Sequence, residues 1–276
     1  MKKILFILLF LAPILRGGVW AQKTTETVQS IMPENPIEKE GWELFWGDEF
    51  EDDLLDSTKW WPQWGAHGYE LQYYTPRKEN VYVKNGLLHI RAQAERLIDT
   101  LPFTSANVFS SIEFGQENYI EMRCKIPKGR GLWPAFWFWS GRNEKYQEID
   151  GFEFWCEDTR RFLVSNYFQE PITQKVKTVS KWIRPRAENG QRMDMSDQFA
   201  TYAVYWDDDG VRFLLNNRLI AHFKDHIPPK PFPIILNLAI QNGKGREPTA
   251  KTIFPAEYLI DYVRVYKRKG TQTITR

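Results

Sequence analysis

Short strand-like runs separated by turn residues constrain this chain more than any other feature. Val81-Tyr82-Val83, then Asn85-Gly86, then Leu87 to Ala92 reads as a hairpin. Asn-Gly suits its turn because type I′ geometry needs positive φ at both central residues. Tyr119 to Ile126 sets Glu121, Arg123 and Lys125 against Met122, Cys124 and Ile126, the period-two alternation of a half-exposed strand. Further strand-like runs are Trp133 to Trp139, Phe162 to Phe168, Ala200 to Trp206, Val211 to Leu215, Ile234 to Ile240 and Tyr258 to Tyr266. Proline or glycine punctuates nearly every junction, and no stretch offers an amphipathic helix of three turns. The pattern predicts an all-β sandwich or barrel. No internal repeat or second domain is visible, so one domain is expected over 41–268, with a short tail at 269–276.

The two ends of the chain read differently from its middle. Met1-Lys2-Lys3, the apolar run Ile4 to Leu15, and Val19-Trp20-Ala21 before Gln22 have the form of a signal peptide cut near Ala21. The expectation is export to the periplasm or the medium. Residues 22–40 are polar, contain Pro33 and Pro36, and read as a disordered lead-in. No later segment approaches the roughly 18 apolar residues of a membrane span, so none is expected in the mature chain. A formal net charge of +2 argues against a nucleic-acid or membrane-surface partner. Cys124 and Cys156 are too few for a disulfide scaffold and fall on alternating apolar positions. Buried thiols are the favoured reading, with a bridge left open by the exported setting.

One apolar, aromatic run contains three acids. Glu148-Ile149-Asp150-Gly151-Phe152-Glu153 continues into Phe154 and Trp155, and carboxylates are costly to bury there without a purpose. On a strand, Glu148 and Asp150 share a face, whereas Glu153 falls on the other. One residue bulged out between Asp150 and Glu153, with Gly151 the natural candidate, returns Glu153 to the same side. The spacing alone is weak, because 35 acids in 276 residues produce such patterns by chance. Glu51, Asp53 and Asp56 repeat it in a polar turn. The apolar interleaving carries the signal. Paired carboxyls on one surface suit retaining glycoside hydrolysis, which needs them roughly 5–5.5 Å apart, one ionised and one protonated. Mutual repulsion and apolar surroundings separate their pKa values.

Aromatic residues are abundant, with Trp 12, Tyr 12 and Phe 18. Much of this must fill a core, but flat rings also stack on the apolar face of a pyranose. In Trp133-Pro134-Ala135-Phe136-Trp137-Phe138-Trp139 the alternation puts Trp133, Ala135, Trp137 and Trp139 on one face. Beside the acidic strand, Trp133 and Trp137 could floor a sugar subsite or simply pack in the core. Trp155 is a further candidate for substrate contact.

At this point the chain resembles glycoside hydrolase family 16, the laminarinase, lichenase, agarase and carrageenase group. Glu148 to Glu153 is similar to the bulged form of the family signature. Five further ordered pieces precede or follow it: Trp46-Gly47-Asp48-Glu49-Phe50, Asn80-Val81 through Gly86-Leu87, Gly131 to Trp137, Tyr202 to Trp206, and Leu236 to Ala239. Asp261-Tyr262-Val263-Arg264-Val265-Tyr266 closes the series. The resemblance implies a concanavalin A-like β-jelly-roll sandwich with a concave substrate cleft and a retaining mechanism. It also implies Glu148 as nucleophile, Glu153 as acid/base, Asp150 as assisting carboxylate and Asn166 as a cleft residue on the next strand. No cofactor is implied for catalysis. A structural calcium is implied at Glu49, Gly86 and Asp261, held mainly by backbone carbonyls, against a plain salt bridge at Asp261.

The expected activity is exported, endo-acting, retaining cleavage of internal β-glycosidic bonds by a monomer. β-1,3-Glucan is preferred as substrate, with galactan or sulfated galactan next. A glycan-binding jelly-roll without turnover and a transglycosylase are the alternatives. Gln147 stands where the family usually has Gly, the loop after Trp139 lacks a second Trp-Pro, and the acidic strand ends Phe154-Trp155-Cys156. These departures bear on the substrate. So does the basic segment 175–192, with Lys175, Lys177, Lys181, Arg184, Arg186 and Arg192, which either meets an anionic glycan or is a solvated loop.

Overall fold

Two antiparallel sheets face each other across an aromatic core. The computed structural model describes residues 35–141, 145–243 and 245–270. In chain order the first strands are β1 (Trp42–Asp48), β2 (Trp60–Pro62), β3 (Gln72–Tyr74), β4 (Val81–Lys84), β5 (Leu87–Ala92) and β6 (Phe103–Ser105). Next come β7 (Asn107–Phe114), β8 (Asn118–Lys125), β9 (Leu132–Trp139), β10 (Gln147–Glu153), β11 (Phe162–Gln169) and β12 (Val176–Ile183). The last five are β13 (Ala200–Asp207), β14 (Gly210–Leu215), β15 (Arg218–Phe223), β16 (Phe232–Ile240) and β17 (Ala256–Arg268). Among the described residues there is no helix. The order β12-β11-β10-β9-β16-β7-β2 forms one sheet, and β15-β14-β13-β8-β17-β5-β4, with β1 along β17, forms the back sheet. The expected all-β jelly-roll sandwich is what the chain adopts.

Local chemistry explains several of these elements. Asn85 and Gly86 have φ of 55° and 71°, the positive values that the β4–β5 hairpin turn demands. Pro134 sits within β9, where the missing N–H would leave a gap in the ladder. The strand tolerates it because the Pro134 carbonyl still accepts the Phe154 N–H at 3.1 Å. Between the sheets, Phe136, Phe138, Phe152 and Phe162 of one layer meet Tyr202, Trp206 and Tyr258 of the other. Phe152 and Tyr202 have ring centroids 4.5 Å apart, and Phe138 and Trp206 5.8 Å. Each such ring contributes about 1.5–3 kcal/mol by leaving water. Cys124 and Cys156 are both free and buried, as the apolar-position reading expects.

The acidic strand bends where the sequence suggests. Pairing with β9 runs Asp150 to Trp137 and then Phe152 to Phe136, leaving Gly151 without a partner. Both Gly151 and Phe152 turn inward. A Cβ on Gly151 would lie 2.7 Å from Cδ1 of Phe136 and 3.0 Å from Cγ2 of Val204. Space, rather than an unusual φ, therefore reserves this position for glycine.

Only residues 35–40 of the lead-in are described, and these are held against the domain. Residues 1–34, which include the signal-peptide reading, lie outside the described residues, as do 271–276. From Asn35 onward the chain is docked on the outer face of the back sheet. The Asn35 amide donates to Glu121 Oε1 at 2.8 Å and to the Tyr262 hydroxyl at 2.6 Å. Lys39 Nζ lies 2.9 Å from Glu121 Oε2. Glu121 is completely buried, so it is not the solvent-facing residue that alternation on β8 predicts. A buried carboxylate needs a cation and donors, and the lead-in supplies both. Arg264, on the same face, donates to the Asn35 carbonyl at 2.7 Å.

The packing around the bulge predicts the effect of one methyl group. Gly151→Ala lowers the free energy of unfolding by about 1–3 kcal/mol in guanidinium titrations, because Phe136 and Val204 must move to admit it.

Candidate active site

The bulge in β10 gives the three acids one face. Register across the sheet runs Trp139, Glu148, Tyr167, Thr178 in one row and Trp137, Asp150, Ser165, Ser180 in the next. A third row runs Ala135, Glu153, Leu163, Trp182. Residues directly opposite on paired strands point to the same side. All three carboxylates therefore face the outer surface of this sheet, where they line a cleft of about 640 Å³. That volume is within the usual range for a ligand site.

Each acid has its own surroundings. Tyr146, two residues before Glu148 and on the same side of the strand, donates its hydroxyl to Glu148 Oε2 at 2.6 Å. The Trp133 indole N–H donates to Glu153 Oε1 at 3.1 Å. Asp150 is buried, and its Oδ2 has no protein partner. Burial pushes Asp150 well above the usual carboxylate range, with the charges of Glu148 and Glu153 adding to it. Burial also raises Glu148 and Glu153 to about 7. The Glu148 charge adds to the rise at Glu153, while Tyr146 opposes the rise at Glu148 and Trp133 that at Glu153, each by stabilising the anion. Both glutamates are thus raised into the range in which one can hold a proton while the other is ionised. An ionised carboxylate beside a protonated one is the pair that retaining glycoside hydrolysis uses.

Indoles and a polar chain support the acids. Trp133 and Trp155 stack at 6.1 Å and 16°, and Trp137 and Trp139 at 6.4 Å and 26°. All four line the cleft. The Trp137 N–H donates to Asn237 Oδ1 at 2.9 Å, and the Asn237 amide donates to the Tyr74 hydroxyl at 2.9 Å. Opposite, the loop before β3 brings His67, Tyr69 and Glu70 to the cleft. Tyr69 is pushed up to about 12 by burial and then by the charges of Glu70, Glu148, Glu153 and Asp150. It overhangs the acids.

Comparison with known proteins assigns the chain to a family. The family model for glycosyl hydrolases family 16 matches residues 70–263, which include Glu148, Asp150 and Glu153. The chain belongs to that family. It is an O-glycosyl hydrolase. This family 16 chain is 30% identical to a β-glucanase of Rhodothermus marinus over 253 residues, covering 82% of this chain and 85% of the relative. Against the structure of an endo-β-1,3-glucanase from Pyrococcus furiosus the TM-score is 0.71 at 29% identity, covering 82% of this chain and 95% of that one. Against a structure concerned with endo-acting O-glycanases of the human gut microbiota that initiate mucin breakdown, the TM-score is 0.73 at 25% identity, covering 84% and 93%.

Not every expected residue reaches the cleft of this family 16 chain. Trp133, Trp137 and Trp155 do. Asn166 does not: it is paired with Ile149, on the inward face of β11. There its amide donates to the carbonyls of Asp225 and His226 at 3.1 and 2.7 Å. It fastens the β15–β16 loop behind the acidic strand. Gln147 also faces away, with its amide 3.2 Å from the His226 ring nitrogen, so this departure from the family pattern does not alter the cleft surface. Lys177 and Lys181 of the basic segment likewise lie on the side of β12 away from the cleft. Lys177 pairs with Glu170, and Lys181 donates to the Ile220 carbonyl at 2.9 Å. The cleft side of β12 carries Thr178, Ser180 and Trp182 instead. Tyr69, Tyr146, Tyr167, His67 and Asn237 escaped the sequence reading, and only Tyr146 was within reach of it, by its i−2 relation to Glu148.

The positions expected to hold calcium carry arginine partners. Arg264 donates to both carboxylate oxygens of Glu49 at 2.7 and 2.8 Å, and Arg123 pairs with Asp261. Gly86 is in the β4–β5 turn. Among the described residues, no three His, Cys, Asp or Glu side chains cluster as a metal site would require.

The Tyr146 contact has a kinetic signature. In Tyr146→Phe the Glu148 anion loses its donor, so the Glu148 pKa rises and the acidic limb of kcat/KM moves to higher pH. The movement is about half to one unit, less than a fully buried charged hydrogen bond would give, because Tyr146 is half-buried.

Proposed function

We propose that this protein is an exported, monomeric, endo-acting retaining glycosidase that cuts internal β-linkages of a polysaccharide, with β-1,3-glucan the favoured substrate. The observation carrying this reading is the set of three carboxylates on one face of a bulged strand, flanked by indoles. The glucanase relatives support the substrate class. Among the described residues no helix is long and apolar enough to cross a membrane.

In the proposed mechanism the Glu148 carboxylate attacks the anomeric carbon while Glu153 gives its proton to the departing glycosidic oxygen. A covalent glycosyl–Glu148 ester results. Glu153, now a carboxylate, takes a proton from water as that water attacks the same carbon and frees Glu148. Two inversions give net retention. Asp150, kept neutral by burial, adds no charge to oppose the attacking Glu148. Trp133 holds Glu153 in place through its indole N–H, and the paired indoles receive sugar rings. The cleft is lined by residues of β9, β10, β11 and β16, so its lining spans several strands of the sheet, as binding an internal segment of a chain requires.

The decisive trial is a panel of laminarin, lichenan, agarose, carrageenan and porphyran with NMR of the first anomer formed. β-Configured products from laminarin support the reading, and α-configured products would exclude retention. Glu148→Gln reduces turnover by at least about 10³-fold while polymer binding persists, whereas a simple binding module would show no turnover to lose. Products longer than the substrate would mark a transglycosylase. A sulfated galactan has less support from the basic segment, since its lysines face away from the cleft.

A calcium on the outer face remains part of the proposal, resting on backbone carbonyls of Glu49 and Gly86 beside Asp261. Added calcium raises the melting temperature by several degrees relative to chelator if it binds; no difference removes it.

A further inference from the structure

One row of side chains crosses the whole cleft sheet. It reads Trp61, Phe109, Ile235, Trp137, Asp150, Ser165, Ser180, from β2 at one edge to β12 at the other. The acids are not in the middle. Four strand spacings separate β10 from β2 and only two separate it from β12. At about 4.8 Å per spacing, Trp61 lies roughly 19 Å from the acidic strand.

At that far edge the side chains are built unlike ordinary surface. Trp61 and Phe109 stack face to face, with ring centroids 4.2 Å apart and planes at 11°. Phe109 is buried beneath the indole and also lines the cleft. Trp61 keeps 47% of its surface exposed. Gln63, the next residue on the cleft side, lines the cleft as well, and its Oε1 accepts the Asn107 amide at 2.8 Å. A flat indole held rigid from below, with an amide beside it, offers a ring-sized apolar platform and a hydrogen-bonding group. The pair is continuous with the site that already receives glycan.

We propose that Trp61, braced by Phe109, is a remote sugar-binding subsite that holds the same polysaccharide chain several rings away from the bond being cut. This rests on the glycan-hydrolase reading and extends it. A pyranose presents C–H groups on one face, which stack on an indole by dispersion and by attraction to its negative face. Such a contact acts in ground state and transition state alike. It therefore lowers KM for long chains and leaves kcat unchanged. The off-centre acids make the long arm of the cleft the one that ends at Trp61.

Trp61→Ala and Trp61→Phe are compared with wild type on laminarin and on a short oligosaccharide of the same linkage. Trp61→Ala raises KM on laminarin about three- to tenfold with kcat nearly constant, while rates on the short substrate do not change. Trp61→Phe recovers most of the loss. An unaltered KM on the polymer, or an equal loss on both substrates, overturns the subsite. Affinity electrophoresis through laminarin gels, in a Glu148→Gln background, reads binding without turnover. There the Trp61→Ala protein must run less retarded. If the wild type cuts none of the five polymers, the hydrolase reading fails separately. The gels, repeated with the same five polymers, then decide the subsite alone, and equal migration of the two proteins in all of them overturns it.

Discussion

The arrangement of the acids depends on one unpaired residue. Regular alternation over Glu148 to Glu153 would send one glutamate into the core and bring Phe152 to the surface. By leaving Gly151 unpaired, β10 satisfies both requirements at once: Phe152 packs at a tilt against Tyr202 in the interior, and Glu153 joins Glu148 outside. The price is a tight space, since Phe136 and Val204 close over the glycine. The core and the active site thus share a single constraint, and neither can be altered there without disturbing the other. Bulges next to functional sites commonly serve this purpose of re-aiming a side chain.

Gathering three carboxyl groups in a half-closed, indole-lined cleft costs desolvation free energy that nothing in the fold fully repays. The structure limits the cost by distributing protons rather than by adding cations. Asp150 has no basic partner and is pushed by burial toward its neutral form, whereas Glu148 and Glu153 each receive one neutral donor, from Tyr146 and Trp133. An arginine in the same position would settle the charges and fix all three groups as anions, leaving no proton to give. Elsewhere the opposite solution is used. Glu121, Glu49 and Asp261 are met by Lys39, Arg264 and Arg123.

The acids and their bulge were legible in the sequence because period-two alternation is strict. A single misfit, Glu153, required a single extra residue, and glycine marked it. The indoles of β9 were legible for the same reason. Asn166 was misjudged because family resemblance named a strand neighbour without its face, and pairing with Ile149 decides that face. Polar composition and two prolines suggest disorder over 22–40, whereas the described end of that segment is held through Asn35 and Lys39 by the buried Glu121, about eighty residues away. Tyr69 and His67 come from a loop whose position over the acids depends on the whole sandwich, and no local pattern announces it. The lysines of β12 alternate away from the cleft, so a count of basic residues in that segment overstated the charge facing a substrate.

The docking of Asn35 and Lys39 also fixes where the polypeptide enters the domain. It arrives on the outer face of the back sheet, which is the side turned away from the glycan cleft. The contacts that hold Asn35 and Lys39 therefore lie behind the catalytic surface and leave the cleft side of the domain untouched. A chain shortened to begin at Trp42 would lose this geometry together with the only lysine that faces Glu121 among the described residues, so the boundary of an expressed domain should be drawn ahead of Asn35.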